Sequence, residues 1–364
     1  MLEAKAIQQR RMRALVRGAY DIQKLRISTG NRFVGNFKAK LGQAPGEKED
    51  TLDAEDQTLL AEIREHNVKI ASAIAAGKIK RHEVQEKDQL KAGVTDKLWK
   101  AAKKSFKKIV ENGKPPKKPK DFKGDPIISD FTEYSLMSQY VDLEMCEARH
   151  MSLVKAEVRQ NRLWKEWLLD QPGCGETMAG VILSEIRIDR SDTVSQLWAY
   201  CGLDVVQNED GSTEGRSKKA HHLVDREYVN RDGKKETKKS ITYNPWLKTK
   251  LVGVLGDCFM RTGGKWKDVY DGYRHRMNHH AIYGEHNDVK KGKKRAEGQP
   301  RTSALRRHRM AIRYMVKQFL LALYLKWRVM EGLPIRASYA EEKLGRAPHG
   351  GNEVDGGQAR AAGD

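Results

Sequence analysis

The stretch Leu168-Leu169-Asp170-Gln171-Pro172-Gly173-Cys174-Gly175-Glu176-Thr177-Met178, continuing as AGVILSEI to Ile186, decides how this chain is read. An apolar helix end runs into Pro172-Gly173-x-Gly175, after which Met178, Val181, Ile182 and Ile186 recur at helical spacing. The pattern predicts two helices joined by a tight glycine turn, a helix-hairpin-helix. Glycines at such a turn let the backbone approach a phosphate closely, and the free N–H groups opening the second helix carry partial positive charge. Gly173, Gly175, Glu176 and Thr177 are therefore candidate DNA-binding residues, holding backbone rather than reading bases. The same residues would serve a plain joint between two packed helices, and the charge of the rest of the chain tilts the choice towards phosphate.

That charge is +20 over 364 residues, from 69 Lys and Arg against 49 Asp and Glu, and it recurs along most of the chain. A polyanion is the natural partner. With 38% hydrophobic and 32% charged residues the composition describes a helix-rich chain with a charged surface. The basic, amphipathic start and the lack of any long apolar run give the expectation of a cytoplasmic protein with no membrane span. Cys146, Cys174, Cys201 and Cys258 are widely spaced, without a Cys-x-x-Cys pair, and read as buried thiols rather than a zinc site.

Upstream of the hairpin, Asp130 to Asp170 contains neither Gly nor Pro and predicts one long helical arm of coiled-coil type. Before it, Ala4 to about Ile27 has helical spacing with a stop at Gly30-Asn31. Asp53 to Ala76 reads as an acidic helix, and LWKAAKKSFKKIV (98–110) as a helix with Trp99, Ala102, Phe106 and Ile109 on one face, followed by a stiff basic linker. Downstream, Glu176 to Ile188 and Ser191 to Cys201 predict helices, the second capped by Ser191 or Asp192 and closed by Gly202. Asp204 to Thr242 carries β-prone pieces, REYVN and KKSITY, that suggest a hairpin or a mobile loop. Helices follow from Pro245 to about Arg261 and from Thr302 to Met330, and the Gly-rich tail after about His349 reads as disordered. The fold class is thus mostly α: a helical bundle with a long arm and a helix-hairpin-helix domain carrying a small β-containing insertion. The expected divisions are 1–50, 51–129, 130–170, 171–348 and 349–364.

The order QPGCGETMAGVILSEI, then SQLWAYCGLDVV, then GSTEGRSKKA, then NPWLKTKLVGVL resembles the C-terminal domain of insertion sequence 110 family transposases. The likeness covers roughly Asp130 to Arg261, with a weaker continuation through Thr302 to Met330. It implies a DNA transposase working by serine-dependent strand cleavage and transfer, with RNA-guided pairing of donor and target and with Mg²⁺ held by four acidic residues of an RNase-H-like domain. By position the matching serine is Ser212 or Ser217, both flanking Gly215, and Arg216, Lys218 and Lys219 would offset charge on the reacting phosphate. A serine nucleophile needs a base or a metal to activate it. The chain departs from the family before Asp130, where no apolar strands bearing an Asp occur, so the metal ligands are unassigned.

Two further groups bear on DNA. The run from Lys290 to Arg309 holds nine Lys and Arg, among them Lys293, Lys294, Arg295, Arg306 and Arg307, enough for salt-sensitive phosphate binding. His275 and His279 lie one helical turn apart in HRMNHH, near His280, His286 and Asp288. That spacing can bind a metal, but the segment lacks the Glu of a His-Glu-x-x-His motif, and nucleic-acid contact or surface placement fits its basic neighbours better. Tyr270, Tyr273 and Tyr283 would suit stacking on bases, or anchor their helix to the core. The expected partners are DNA, a structured guide RNA and a second copy through the arm. The competing readings are a non-catalytic DNA- or RNA-binding derivative and a helical nucleic-acid scaffold.

Overall fold

The computed structural model describes residues 2–41, 54, 58, 61, 92–111, 118–124, 127–207, 213–217, 222–288 and 302–336. The acidic segment 53–76 apart from three positions, half of the linker 113–126, Ser212, Lys218, Lys219, Lys293, Lys294, Arg295 and the tail from 349 lie outside them. The chain is mostly α. It divides into two compact units, residues 17–151 and residues 1–16 with 152–364.

In the unit of residues 17–151, α1 (Leu2–Leu41), α2 (Ala92–Glu111) and α3 (Phe131–Gln160) supply the helices. Its core gathers Phe33, Ala101, Ala102, Ile127, Ile128, Tyr134, Met137 and Tyr140. Trp99 stacks on Tyr140 with centroids 4.4 Å apart and on Phe33 at 5.5 Å. This explains why α1 continues past Gly30, against the expected stop. A Cβ at Gly30 would lie 3.1 Å from the Tyr140 ring and 3.2 Å from Trp99, so the glycine provides space for the rings while the helix runs on to Leu41. Nearby, Glu147 accepts hydrogen bonds from Arg26 and Gln23, and Arg26 also donates to the Tyr140 hydroxyl.

The expected arm is not one helix from Asp130 to Asp170. It ends at Gln160, and Asn161, extended at φ −72 and ψ 134, caps a new short helix α4 (Arg162–Glu166) by accepting from Leu163 N. An Asn side chain that bonds the following backbone favours such a boundary over helix interior. A 3-10 turn, Leu168–Asp170, leads to the hairpin and α5 (Glu176–Glu185). Next, α6 (Val194–Tyr200) is capped by Thr193, neither Ser191 nor Asp192. Its side chain accepts from Gln196 N while the Gln196 side chain accepts from Thr193 N, a reciprocal box that satisfies two open donors.

Two antiparallel hairpins follow. β1 (Val205–Gln207) pairs with β2 (Thr213–Gly215), Val205 opposite Gly215. β3 (Val224–Val229) pairs with β4 (Lys235–Ser240), Val224 opposite Ser240, and turns at Gly233 with φ 76. β3 is exposed throughout and β4 nearly so, so this second ribbon stands off the core.

The remaining helices build that core. α7 (Pro245–Thr249), a π-helical segment Lys250–Leu255 and α8 (Gly256–Thr262) run on from one another, then come α9 (Lys265–Asn278) and α10 (Ala304–Met330). Along α10, Ala311, Ile312, Met315, Val316, Phe319, Leu320 and Leu323 are buried, the stripe their spacing predicts. Phe319 meets Phe259 at 5.2 Å, Trp266 at 5.4 Å and Trp167 at 5.6 Å between centroids. Removing such a ring costs about 3–5 kcal/mol. Two glycines bring helices close here: a Cβ at Gly256 would sit 2.8 Å from Ile312, and one at Gly180 2.8 Å from Val154.

Candidate serine site and nucleic-acid interface

The hairpin turn takes the conformation its glycines allow. Gly173 has φ 89, which a side chain resists, and a Cβ there would fall 2.8 Å from Thr262 Oγ1 and 2.9 Å from Phe259. Gly173 therefore faces α8, and close packing is enough to require it. Gly175, the residue capping α5, faces open space, with nothing within 4 Å of a Cβ. Glu176, in the first turn, pairs with Arg159 at 2.5 Å. Thr177 begins the helix behind it. Cys174 and Cys201 are buried as expected, and burial pushes the Cys174 thiol up to about 12. Cys146 and Cys258 are only half-buried.

Downstream, the base of the β1–β2 hairpin is closed by one ion pair. Arg216 N donates to Asp204 O at 3.1 Å, its Nε to Asp204 Oδ2 at 2.7 Å, and its other arm to Thr242 Oγ1 at 3.0 Å. The next residue is Ser217. Its backbone N–H lies 3.0 Å from His222 Nδ1 and its Oγ 2.9 Å from the same nitrogen. A backbone N–H can only donate, so Nδ1 is the lone-pair nitrogen, the ring proton sits on Nε2, and the Ser217 hydroxyl donates to Nδ1. The imidazole is buried, whereas Ser217 is partly exposed. A hydroxyl held on an unprotonated imidazole is the arrangement that makes serine a nucleophile.

Asn244 ties this region to the hairpin helices. Its amide donates to Glu185 Oε2 at 2.6 Å and to the Tyr200 hydroxyl at 3.2 Å, and its Oδ1 caps α7. From α7, Lys248 Nζ reaches back to the Arg216 carbonyl at 2.6 Å.

Residues 165–227 match the Transposase IS116/IS110/IS902 family. The matched segment runs from the end of α4 through the hairpin, α5, α6 and both strands of the first hairpin, and it includes Ser217 and His222. The likeness read from QPGCGETMAGVILSEI and SQLWAYCGLDVV is borne out over that segment. No curated protein and no solved structure gave a match to the chain.

The other sequence-derived residues fall elsewhere. Arg306 is exposed and lies over the Tyr283 ring at 5.2 Å. Arg307 is buried, its guanidinium gripped by both Asp288 oxygens at 2.8 and 2.6 Å and by the Asn278 and Tyr283 oxygens. Its charge is engaged inside the fold. The histidines of HRMNHH bond locally: His279 Nδ1 to the His275 carbonyl, His280 Nδ1 accepting from Ile282 N and Tyr283 N, and His286 to Ala281 O. Tyr270 is buried and bonded to His308, and Tyr273 stacks on Tyr314, so both anchor α9. Among the described residues no three His, Cys, Asp or Glu side chains gather to hold a metal ion. Nor is any described helix long and apolar enough to cross a membrane.

His222 was missed because it follows the serine in a loop without periodicity. The five-residue spacing from Ser217 to His222 in SKKAHH was the available signal.

Proposed function

We propose that the chain acts on DNA as a transposase or a derivative of one, with Ser217 as nucleophile and His222 as the base that activates it. The observation that carries this reading is the hydroxyl-to-imidazole bond at 2.9 Å within the segment matching the transposase family. In the step, Ser217 Oγ attacks a DNA phosphorus and its proton passes to His222 Nδ1. The P–Oγ bond forms as a P–O bond to the deoxyribose breaks, and the departing oxygen takes a proton from water. Strand transfer reverses this: a DNA hydroxyl attacks the phosphoserine and gives its proton back to the solvent hydroxide left by the first step, the P–Oγ bond breaks, and Ser217 leaves with the proton His222 holds. Ser212 is the alternative nucleophile, and the Gly173–Thr177 hairpin, through its Gly175 side, holds backbone of the same DNA. A structured guide RNA, a pairing of two copies through α3 and a cytoplasmic location belong to the same reading.

The test is cleavage and strand transfer on branched and linear DNA, with and without Mg²⁺, at matched DNA occupancy. Ser217→Ala is expected to abolish covalent product, and His222→Gln to slow it by about 10²–10⁴-fold, the usual contribution of a positioned base. Product that survives Ser217→Ala and disappears with Ser212→Ala moves the nucleophile to Ser212. Salt-sensitive binding without product in any variant leaves a DNA-binding derivative.

A further inference from the structure

Arg313 and Lys248 lie against the two residues before Ser217, and Lys317 lies within electrostatic reach of Asp204, the partner of Arg216. Arg313 of α10 lies against β2: a Cβ on Gly215 would fall 2.4 Å from its Nη1, so the guanidinium occupies the space the glycine leaves. Lys248 approaches the next residue through the Arg216 carbonyl, with its ammonium 4.8 Å from the centre of the Tyr243 ring. Lys317, one turn along α10 from Arg313, sits 4.1 Å over the Trp198 ring. Arg216 adds a fourth charge. The carboxylate that the structure brings to this group is Asp204, whose Oδ2 is taken by Arg216 and whose Oδ1 is buried without a hydrogen-bond partner. Neither Arg313 nor Lys317 forms an ion pair among the described residues.

Burying several positive charges around the single carboxylate of Asp204 is unfavourable, and the strain registers in the groups themselves. Burial and the neighbouring Arg313 bring Lys248 down to about 8, and burial lowers both Arg313 and Lys317. Aromatic faces soften the cost for the lysines but carry no net charge. A group of this kind is completed by an anion.

We propose that Arg313, Lys317 and Lys248, gathered against the Gly215–Arg216 end of β2, form a seat for one phosphodiester of a DNA strand beside Ser217. The inference rests on the reading that this chain acts on DNA. The seat draws on three segments far apart in sequence, and only Arg216 of its four cations belongs to the Ser/Gly/basic stretch. A phosphate there would be held by a planar guanidinium and two ammonium groups, and the charge that accumulates on its oxygens during attack would meet cations already in place.

The experiment measures binding of the full chain to a fluorescent DNA duplex across a range of salt. Each phosphate neutralised contributes about 0.9 to the slope of log K against log salt. Arg313→Gln with Lys317→Gln should weaken binding about tenfold near 0.1 M salt and flatten the slope by about one. Lys265→Gln with Lys267→Gln, equal in charge removed but on the exposed start of α9, should change the slope by much less. Gly215→Ala is the cleaner probe. Its Cβ meets only the flexible end of Arg313, so the fold should keep its unfolding midpoint while DNA affinity falls. Arg313→Lys should restore most of the slope lost in Arg313→Gln. Wild-type protein that binds no DNA would sink the parent reading. Wild-type binding matched by the double variant, or a loss no larger than that of the α9 pair, would overturn the seat alone. A loss seen with single-stranded RNA and absent with DNA would overturn it too.

Discussion

Replacing Lys248 by methionine should make the protein more stable at neutral pH while weakening its hold on DNA. The folded chain keeps the Lys248 ammonium at about 8, against an ordinary value of 10.5, chiefly through burial and secondly through repulsion from Arg313. The difference is about 2.5 units, and at 1.36 kcal/mol each this sets a ceiling of about 3 kcal/mol on the destabilisation. Lys248 is partly exposed, and solvent screening brings the expected figure to about 2 kcal/mol. Methionine keeps an unbranched apolar stem beside Tyr243 but loses the bond to the Arg216 carbonyl, worth about 1 kcal/mol. The net gain is about 1 kcal/mol at pH 7. Because the folded value is depressed, the unfolded chain holds more protons between about 8 and 10.5, so this lysine's penalty is full below about 8 and fades as pH rises through that window. Urea unfolding of both proteins at pH 7 and pH 10, followed by tryptophan fluorescence, provides the test. Lys248→Met should lead by about 1 kcal/mol at pH 7 and lose that lead by pH 10. A difference that does not move with pH would refute the argument that the ammonium is held against its desolvation.

Two other substitutions probe features that fix the site. Arg328→Met should cost about 3–5 kcal/mol, because the buried guanidinium donates to the carbonyls of Pro334, Ile188 and Ser191, which would lose their partner together. A loss under about 1 kcal/mol by chemical denaturation would show those carbonyls satisfied by other means. Gly173→Ala should cost about 1–3 kcal/mol, since the residue has φ 89 and its Cβ would press on Thr262 and Phe259. Wild-type stability in that variant would mean that the turn and α8 separate freely.

Much of this architecture could be read from the sequence because its signals are local. The apolar stripe of α10, the Pro-Gly-x-Gly turn before α5 and the β-prone pieces of the β3–β4 ribbon each depend on residues close together in sequence. What failed locally failed for tertiary reasons. Gly30 carries a stop signal, yet Trp99 and Tyr140 need its missing side chain more than α1 needs to end. Arg307 belongs to a basic run and looks free for DNA, but Asp288 claims it. Ser217 was singled out from the residues around it, whereas the bond from His222 to it appears only in the fold. Lys248, Arg313 and Lys317 had no signal at all, since each is an ordinary basic residue of an amphipathic helix until the helices meet at Gly215.

The β3–β4 ribbon leaves its core between His222 and Thr242, and nearly every side chain along it faces solvent. One root therefore adjoins His222, bonded to Ser217, and the other holds Thr242, a partner of Arg216, while the strands between them are exposed. Such a segment can change in length, charge or identity without repacking anything. It offers a natural point of grafting, where a foreign peptide or reporter would be carried beside Ser217 and the helices beneath it would stay as they are.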